Sequence, residues 1–175
     1  PLPLIMERVE TTILSNLIYK EEYTRKVIPF LCADYFEEKT DKVVFEEISA
    51  FLEKYDKIPT KEILNIEIQK RTDLSQDEFS LVTRLVDSLS PSESDYTWSL
   101  DTTEAWCKER AIYLALMESI QIADGQDNKK NADAIPSILS DALSVGFDQH
   151  VGHDYIDDSQ DRYAFYHKVE NKIPF

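Results

Sequence analysis

Residues 75–89, Ser75-Gln76-Asp77-Glu78-Phe79-Ser80-Leu81-Val82-Thr83-Arg84-Leu85-Val86-Asp87-Ser88-Leu89, decide the fold class. Ser75 with Glu78 three positions on has the spacing of a capping box, in which each residue's side chain accepts a hydrogen bond from the other's backbone N–H. Behind it Phe79, Val82, Leu85, Val86 and Leu89 trace one apolar stripe at helical spacing. A capped helix with a single stripe needs a partner, and the preceding residues supply one. Thr60 is placed to N-cap a helix running to about Lys70, with Ile63, Ile66 and Leu64 or Ile68 available for packing. The two predict a helical hairpin.

Upstream, Val44, Ile48, Phe51 and Leu52 predict a helix over Asp41 to Lys54, stopped by Asp56-Lys57-Ile58-Pro59. Ile5, Val9, Ile13 and Leu17 recur every four residues, with Leu14 and Ile18 broadening the face, and predict a helix from about Leu4 to Tyr19. A short helix over Glu21 to Phe30 follows, its last turn disturbed by Pro29. Downstream, Ser90-Pro91-Ser92-Glu93-Ser94 punctuates the chain before the longest periodic element, roughly Asp95 to Asp124. Trp98, Ala105, Ile112, Leu116, Ile120 and Ala123 supply its expected buried face, widened by Trp106, Tyr113 and Met117. Gly125 reads as a post-helix cap before the polar loop Gln126 to Asn131. One more short helix is expected, capped by Asp133, burying Ile135, Ile138, Leu139, Ala142 and Leu143, and ended by Gly146. There is no internal repeat and no convincing strand series. The fold class is therefore all-α, a compact multi-helix bundle over residues 1–146.

From Phe147 to Asp154 the periodicity stops, which marks a linker over 147–175. Within it a last helix is expected from Asp154 to Asn171. Tyr155, Ile156, Tyr163, Tyr166, Val169 and Ile173 are too large an apolar load for a helix with nothing to lie against. They are candidate interface residues, crossing to a neighbouring subunit. Pro1 is not a translational start, so Pro1 to Pro3 read as an appended or processed end, and Ile173-Pro174-Phe175 reads as a cut.

Charge and composition exclude several functions. Thirty-four acidic against nineteen basic residues give a formal net charge of -15, a poor surface for neutralising phosphates, so sequence-independent nucleic-acid binding by this chain alone is not expected. Three glycines in 175 residues leave no material for a phosphate-cradling loop. Cys32 and Cys107 lie far apart among apolar residues and read as buried thiols of a reducing, intracellular setting. No stretch is long and apolar enough for a membrane span, and residues 1–8 lack the pattern of a targeting segment.

Catalytic chemistry is sparse. His150, His153, Asp154, Asp157 and Asp158 offer nitrogen and oxygen donors to a divalent ion, but three acids at a helix start are accounted for by the helix dipole, so no metal is assigned. His167 reads as exposed or packed beside Tyr163. The pairs Glu21 with Glu22, Glu37 with Glu38 and Glu46 with Glu47 are adjacent, and adjacent helical residues do not converge on one substrate. No serine has a nucleophile elbow, and neither cysteine has a nearby histidine. Arg110 reads as an ion-pair residue and Trp98, Trp106 and Tyr113 as core rather than a base-stacking face. The chain is expected to hold no catalytic residue, cofactor or metal, which leaves protein contact as its work.

A resemblance adds to this reading. Glu10-Thr11-Thr12-Ile13-Leu14-Ser15-Asn16-Leu17-Ile18-Tyr19, Tyr35-Phe36 and Ile58-Pro59-Thr60 resemble the N-terminal domain of DnaB-type replicative DNA helicases. Asn128-Lys129-Lys130, Asp133-Ala134-Ile135-Pro136, Ala142-Leu143-Ser144, Val151-Gly152-His153-Asp154 and Ile173-Pro174-Phe175 are similar to the replicative helicase of large contractile-tailed bacteriophages. The resemblance implies a longer protein, an ATP-dependent or other NTP-dependent enzyme using Mg2+, that unwinds DNA 5' to 3' as a homo-hexamer in the cytoplasm of an infected bacterial host. It implies a collar built from N-terminal domains, a linker helix docked on a neighbouring motor domain, primase and a helicase loader as partners, and single-stranded DNA held through the full ring. On this reading Leu14, Leu17, Ile18 and the helix from Ser75 to Leu89 are bundle or collar residues, with core and interface undivided. The alternative is a helical adaptor or regulatory protein of phage DNA replication without a motor.

Overall fold

A computed structural model describes residues 8–147. Among them there are seven α-helices and no strand: α1 Val9–Tyr19, α2 Glu21–Val27, α3 Lys39–Tyr55, α4 Lys61–Gln69, α5 Gln76–Ser88, α6 Tyr96–Ala123 and α7 Ile135–Leu143. Short 3-10 turns lie at Ile28–Phe30, Ala33–Tyr35 and Ala132–Ala134. The fold is all-α, as the periodicity predicts. The expected helix over 154–171 lies outside the described residues, as does the expected start of α1 before Val9.

The caps are where local chemistry fixes the chain most firmly. Ser75 Oγ accepts from Glu78 N at 3.2 Å while Glu78 Oε2 accepts from Ser75 N at 2.8 Å, the reciprocal capping box. Thr60 Oγ1 accepts from Ile63 N at 3.3 Å and starts α4. Asp95 Oδ2 accepts from Trp98 N at 2.9 Å and starts α6. At the far end of α6, Gly125 takes φ +72. Its N–H reaches Ile122 O at 3.1 Å and Gln126 N reaches Gln121 O at 3.0 Å, a Schellman motif that only a residue tolerant of the left-handed region closes cheaply. Before α7 the cap is Asn131, whose Oδ1 accepts from Asp133 N at 3.0 Å, rather than Asp133 itself. A 3-10 turn intervenes, so α7 begins at Ile135 with Pro136 in its first turn, and it ends at Leu143, before Gly146.

The described chain forms two compact units. The first takes the residues up to Lys26 together with Cys32–Thr103, and the second takes Val27–Leu31 together with the residues from Glu104 onward. The boundary between the two units falls within α6, between Thr103 and Glu104.

In the first unit α3 is central and packs against α1, α4 and α5, while α4 and α5 pair as the expected hairpin. Val43, Val44, Phe45 and Ile48 of α3 meet a core of Ile13, Leu14, Leu17, Leu64, Ile68, Val82, Val86 and Leu89, all buried. Phe36 and Phe45 stack at 5.2 Å between ring centroids. Ile66, expected to pack, is exposed, because the core side of α4 is taken by Leu64 and Ile68 two positions to either side. The segment before α6 is held by Lys20 Nζ, which donates to Ser94 O at 2.8 Å.

In the second unit Phe30 and Phe147 stack at 4.6 Å, and Cys107, Ala111, Ala115 and Ile122 of α6 are buried. Lys130 Nζ pairs with Glu118 and ties the 126–131 loop to α6. Cys107 is a buried thiol and Cys32, in the first unit, is a partly exposed one.

Candidate interaction surface

The long helix buries a different face from the one its large residues mark. Its buried row is Ser99, Thr103, Cys107, Ala111, Ala115 and Ser119, small residues four apart, joined by Trp106 and Ile122. The buried hydroxyls on this row are satisfied because each donates back to the carbonyl four residues earlier: Ser99 to Asp95 O, Thr103 to Ser99 O and Ser119 to Ala115 O, each at 2.7 Å. Residues two positions from such a row point about 200° away from it at about 100° per residue. Tyr113 and Met117 occupy those positions, and Leu116 and Ile120 lie beside them.

The result is an exposed apolar seam. Tyr113 is 49% exposed and Ile120 53%, with Leu116 and Met117 similarly open, at the 0, 3, 4 and 7 spacing of one helix face. Leu143 of α7, in the same unit, is 70% exposed where burial was expected. Trp98, earlier on α6, is 52% exposed. Of the three aromatics expected in the core, only Trp106 is there. Trp98 and Tyr113 are not, because burial on α6 follows its small residues. The guanidinium carbon of Arg110 lies 4.9 Å from the Tyr113 ring centroid, so the cation flanks the seam.

Charge is arranged as local clusters rather than as a basic track. Arg71 serves three carboxylates at once: Asp73 through two hydrogen bonds of 2.7 and 2.9 Å, Glu47 at 2.9 Å and Glu46 at 3.0 Å. The Asp73 hydrogen bonds, with those to Glu47 and Glu46, raise the Arg71 pKa against the cost of its burial, and Asp73 is held below its usual range by Arg71. Arg8 makes a two-pronged pair with Asp41, whose carboxylate is fully buried, at 3.0 and 3.1 Å. Arg25 reaches both Glu21 and Asp56 at 2.9 Å, holding Asp56 at its left-handed φ of 53 where α3 stops.

Of the candidate interface residues, Leu14, Leu17 and Ile18 are buried in the first unit, against residues of the same chain. Tyr155, Ile156, Tyr163, Tyr166, Val169 and Ile173 lie outside the described residues, as do His150, His153, Asp154, Asp157, Asp158 and His167. No group of three or more His, Cys, Asp or Glu among the described residues is placed to hold a metal ion. No helix among them is long and apolar enough to cross a membrane. Glu46 and Glu47, expected not to converge, meet on the one guanidinium of Arg71, a structural ion-pair cluster, and Glu21 is engaged by Arg25.

No protein-family model matches the chain. It is 34% identical over 171 residues to the DnaB-like replicative helicase of Enterobacteria phage T4, an alignment that takes in 93% of this chain and 36% of that protein. The match is to the N-terminal portion of the phage protein. The chain therefore spans about a third of the relative's length. Identity at this level over so much of an all-α chain extends the resemblance of the short segments around Ile13 and Pro136 to nearly the whole sequence.

Proposed function

We propose that this chain is the N-terminal assembly and partner-binding part of an ATP-dependent, 5'-to-3' hexameric replicative DNA helicase of the DnaB type, acting in the cytoplasm of a phage-infected bacterium. The observation that carries the reading is the 34% identity over 171 residues to the phage helicase. The exposed seam on α6 supports the assembly role, since Tyr113, Leu116, Met117 and Ile120 form an apolar stripe of the kind that a second helix covers. Residues 154–171, outside the described residues, would serve as the linker helix expected from the sequence, with their apolar load on a neighbouring subunit.

Nucleotide and Mg2+ belong to a motor domain outside these residues, because three glycines and no phosphate loop leave nothing here to cradle phosphates. Contact with single-stranded DNA falls mainly to the same domain, given a net charge of -15. Primase and a helicase loader are the protein partners.

Light scattering after size exclusion, over a concentration series, on residues 1–175 and on a chain stopped at Gly146 tests the assembly role. A mass above one chain that survives the truncation and falls to one chain in Met117→Glu is the expected result. A single-chain mass throughout would remove assembly from this part of the protein. The coding frame tests the helicase reading: continuation past Phe175 into a glycine-rich loop with Lys and Ser or Thr supports it, and closure there favours the motor-free adaptor.

A further inference from the structure

The short helix α7 is covered on one side only. Ala142 is buried and Ile135, Ile138 and Leu139 are half-buried, while Leu143, four residues beyond Leu139 on the same stripe, is 70% exposed. A nine-residue helix is too short to hold itself together and depends on what lies against it. The open leucine in its last turn marks the side that is left uncovered.

This open side is separate from the seam on α6. A Cβ on Gly146 would lie 3.4 Å from Lys108 Cε and 3.5 Å from Glu104 Oε1, and Lys130 pairs with Glu118. Residues 130–146 therefore run back over the side of α6 that carries positions 104, 108 and 118. Tyr113, nine residues past Glu104, points about 180° from it at about 100° per residue. The seam thus faces away from α7, and a helix laid on one does not cover the other.

The next part of the chain is suited to the α7 side. Phe147, four residues past Leu143, is 2% exposed and stacks on Phe30 at 4.6 Å, so the chain leaves the second unit from a fixed point close to the end of α7. The residues beyond it lie outside the described chain, and their sequence sets up a helix over 154–171. Tyr155, Ile156, Tyr163, Tyr166 and Val169 fall within an arc of about 140° at about 100° per residue, a single apolar stripe. Residues 148–153 alone connect Phe147 to that helix. A connection of about 2–8 residues is the length that joins antiparallel neighbours in a bundle. Fully extended it reaches about 25 Å, which keeps the start of the stripe within range of Leu143. The helix itself, about 27 Å long at 1.5 Å per residue, is long enough to pass the whole of α7.

We propose that residues 154–171 of this chain fold back antiparallel on α7 and cover Leu139 and Leu143 with that stripe. The contact is self-covering: it hides within one chain the apolar load that a neighbouring subunit would otherwise take, so docking on a neighbour requires its release. It rests on the positions of Leu143 and Phe147 and not on the helicase reading.

The test uses the full 175-residue chain and reads hydrogen exchange at 135–143 and 154–171 over a hundredfold range of protein concentration. The expected result is protection of 154–171 that does not change with concentration. In Leu143→Asp this protection is expected to fall at least tenfold, with exchange in α1 and α3 as in the parent. The reciprocal variant, Tyr163→Ser with Tyr166→Ser, is expected to speed exchange in α7, and it decides the matter if Leu143→Asp fails to fold. No protection of 154–171 in the parent, or equal protection in the parent and Leu143→Asp, overturns the proposal. Protection that rises with concentration would assign the helix to a second copy, and protection lost in Met117→Glu but kept in Leu143→Asp would assign it to the seam on α6. Either result overturns the proposal as well.

Discussion

Tyr23 and Thr103 share a hydroxyl-to-hydroxyl hydrogen bond of 2.6 Å inside the first unit, both side chains sealed from water. Thr103 Oγ1 also lies 2.7 Å from Ser99 O and donates there, so the phenol of Tyr23 is the donor between the two. Tyr23→Phe removes that donor and leaves Thr103 with its carbonyl partner. The expected loss is about 1 kcal/mol of unfolding free energy, read from urea unfolding with an unchanged slope.

The capping box on α5 makes a second prediction. Lys39, 2.9 Å away, and the Ser75 backbone hold the Glu78 carboxylate below its usual range. A carboxylate with a depressed folded pKa contributes stability above its unfolded pKa and loses it as pH falls through the folded one. Glu78→Gln should therefore flatten part of the acid limb of the stability curve and change little near pH 2. Ser75→Ala, which removes the other half of the box, is expected to cost about 1 kcal/mol at any pH.

Asp41 carries the opposite sign. Burial raises its pKa above the usual range, and the hydrogen bonds from Arg8 offset part of that rise. The folded protein then binds this proton more tightly than the unfolded chain does, so as pH falls from neutral through the raised pKa this group adds stability. Measured as the difference between the parent and Asp41→Asn, stability should grow toward acid between the raised folded pKa and the ordinary aspartate range. A difference that shrinks toward acid would show that Arg8 outweighs burial.

The elements were legible in the sequence because caps and periodicity are local. Ser75, Thr60 and Gly125 act within four residues of themselves, and each does what its spacing implies. Burial on α6 was not legible. Burial there falls on Ser99, Thr103, Ala111 and Ala115, residues with almost no hydrophobic signal, while Tyr113, Met117 and Ile120 carry the signal and stay in water. Asp41 was equally hidden, since a charged side chain reads as surface until Arg8, 33 residues away, is seen beside it. The candidate surface was half visible: the large apolar residues of the long helix stood out, and their exposure did not.

The contrast between Leu14 and Leu116 separates core from surface by experiment. Leu14 is completely buried, and Leu14→Ala should cost about 2–5 kcal/mol. Leu116 is 48% exposed, and Leu116→Ala should change the stability of the single chain by less than about 0.5 kcal/mol. Under conditions where chains associate, the same Leu116 variant is expected to weaken association, read as a shift of the midpoint of a dilution series to higher protein concentration.

Arg71 holds Glu46, Glu47 and Asp73 with one positive charge, so this corner contributes a surplus of two negative charges to the protein's net -15. Mutual repulsion among the surplus reaches further than the hydrogen bonds that Arg71 makes, and dissolved cations screen the long-range part first. Sodium or potassium chloride in the tenth-molar range should for that reason firm the fold instead of loosening it. A buffer's ionic strength is then a structural ingredient of this molecule, acting as the counter-ions that its own sequence leaves out.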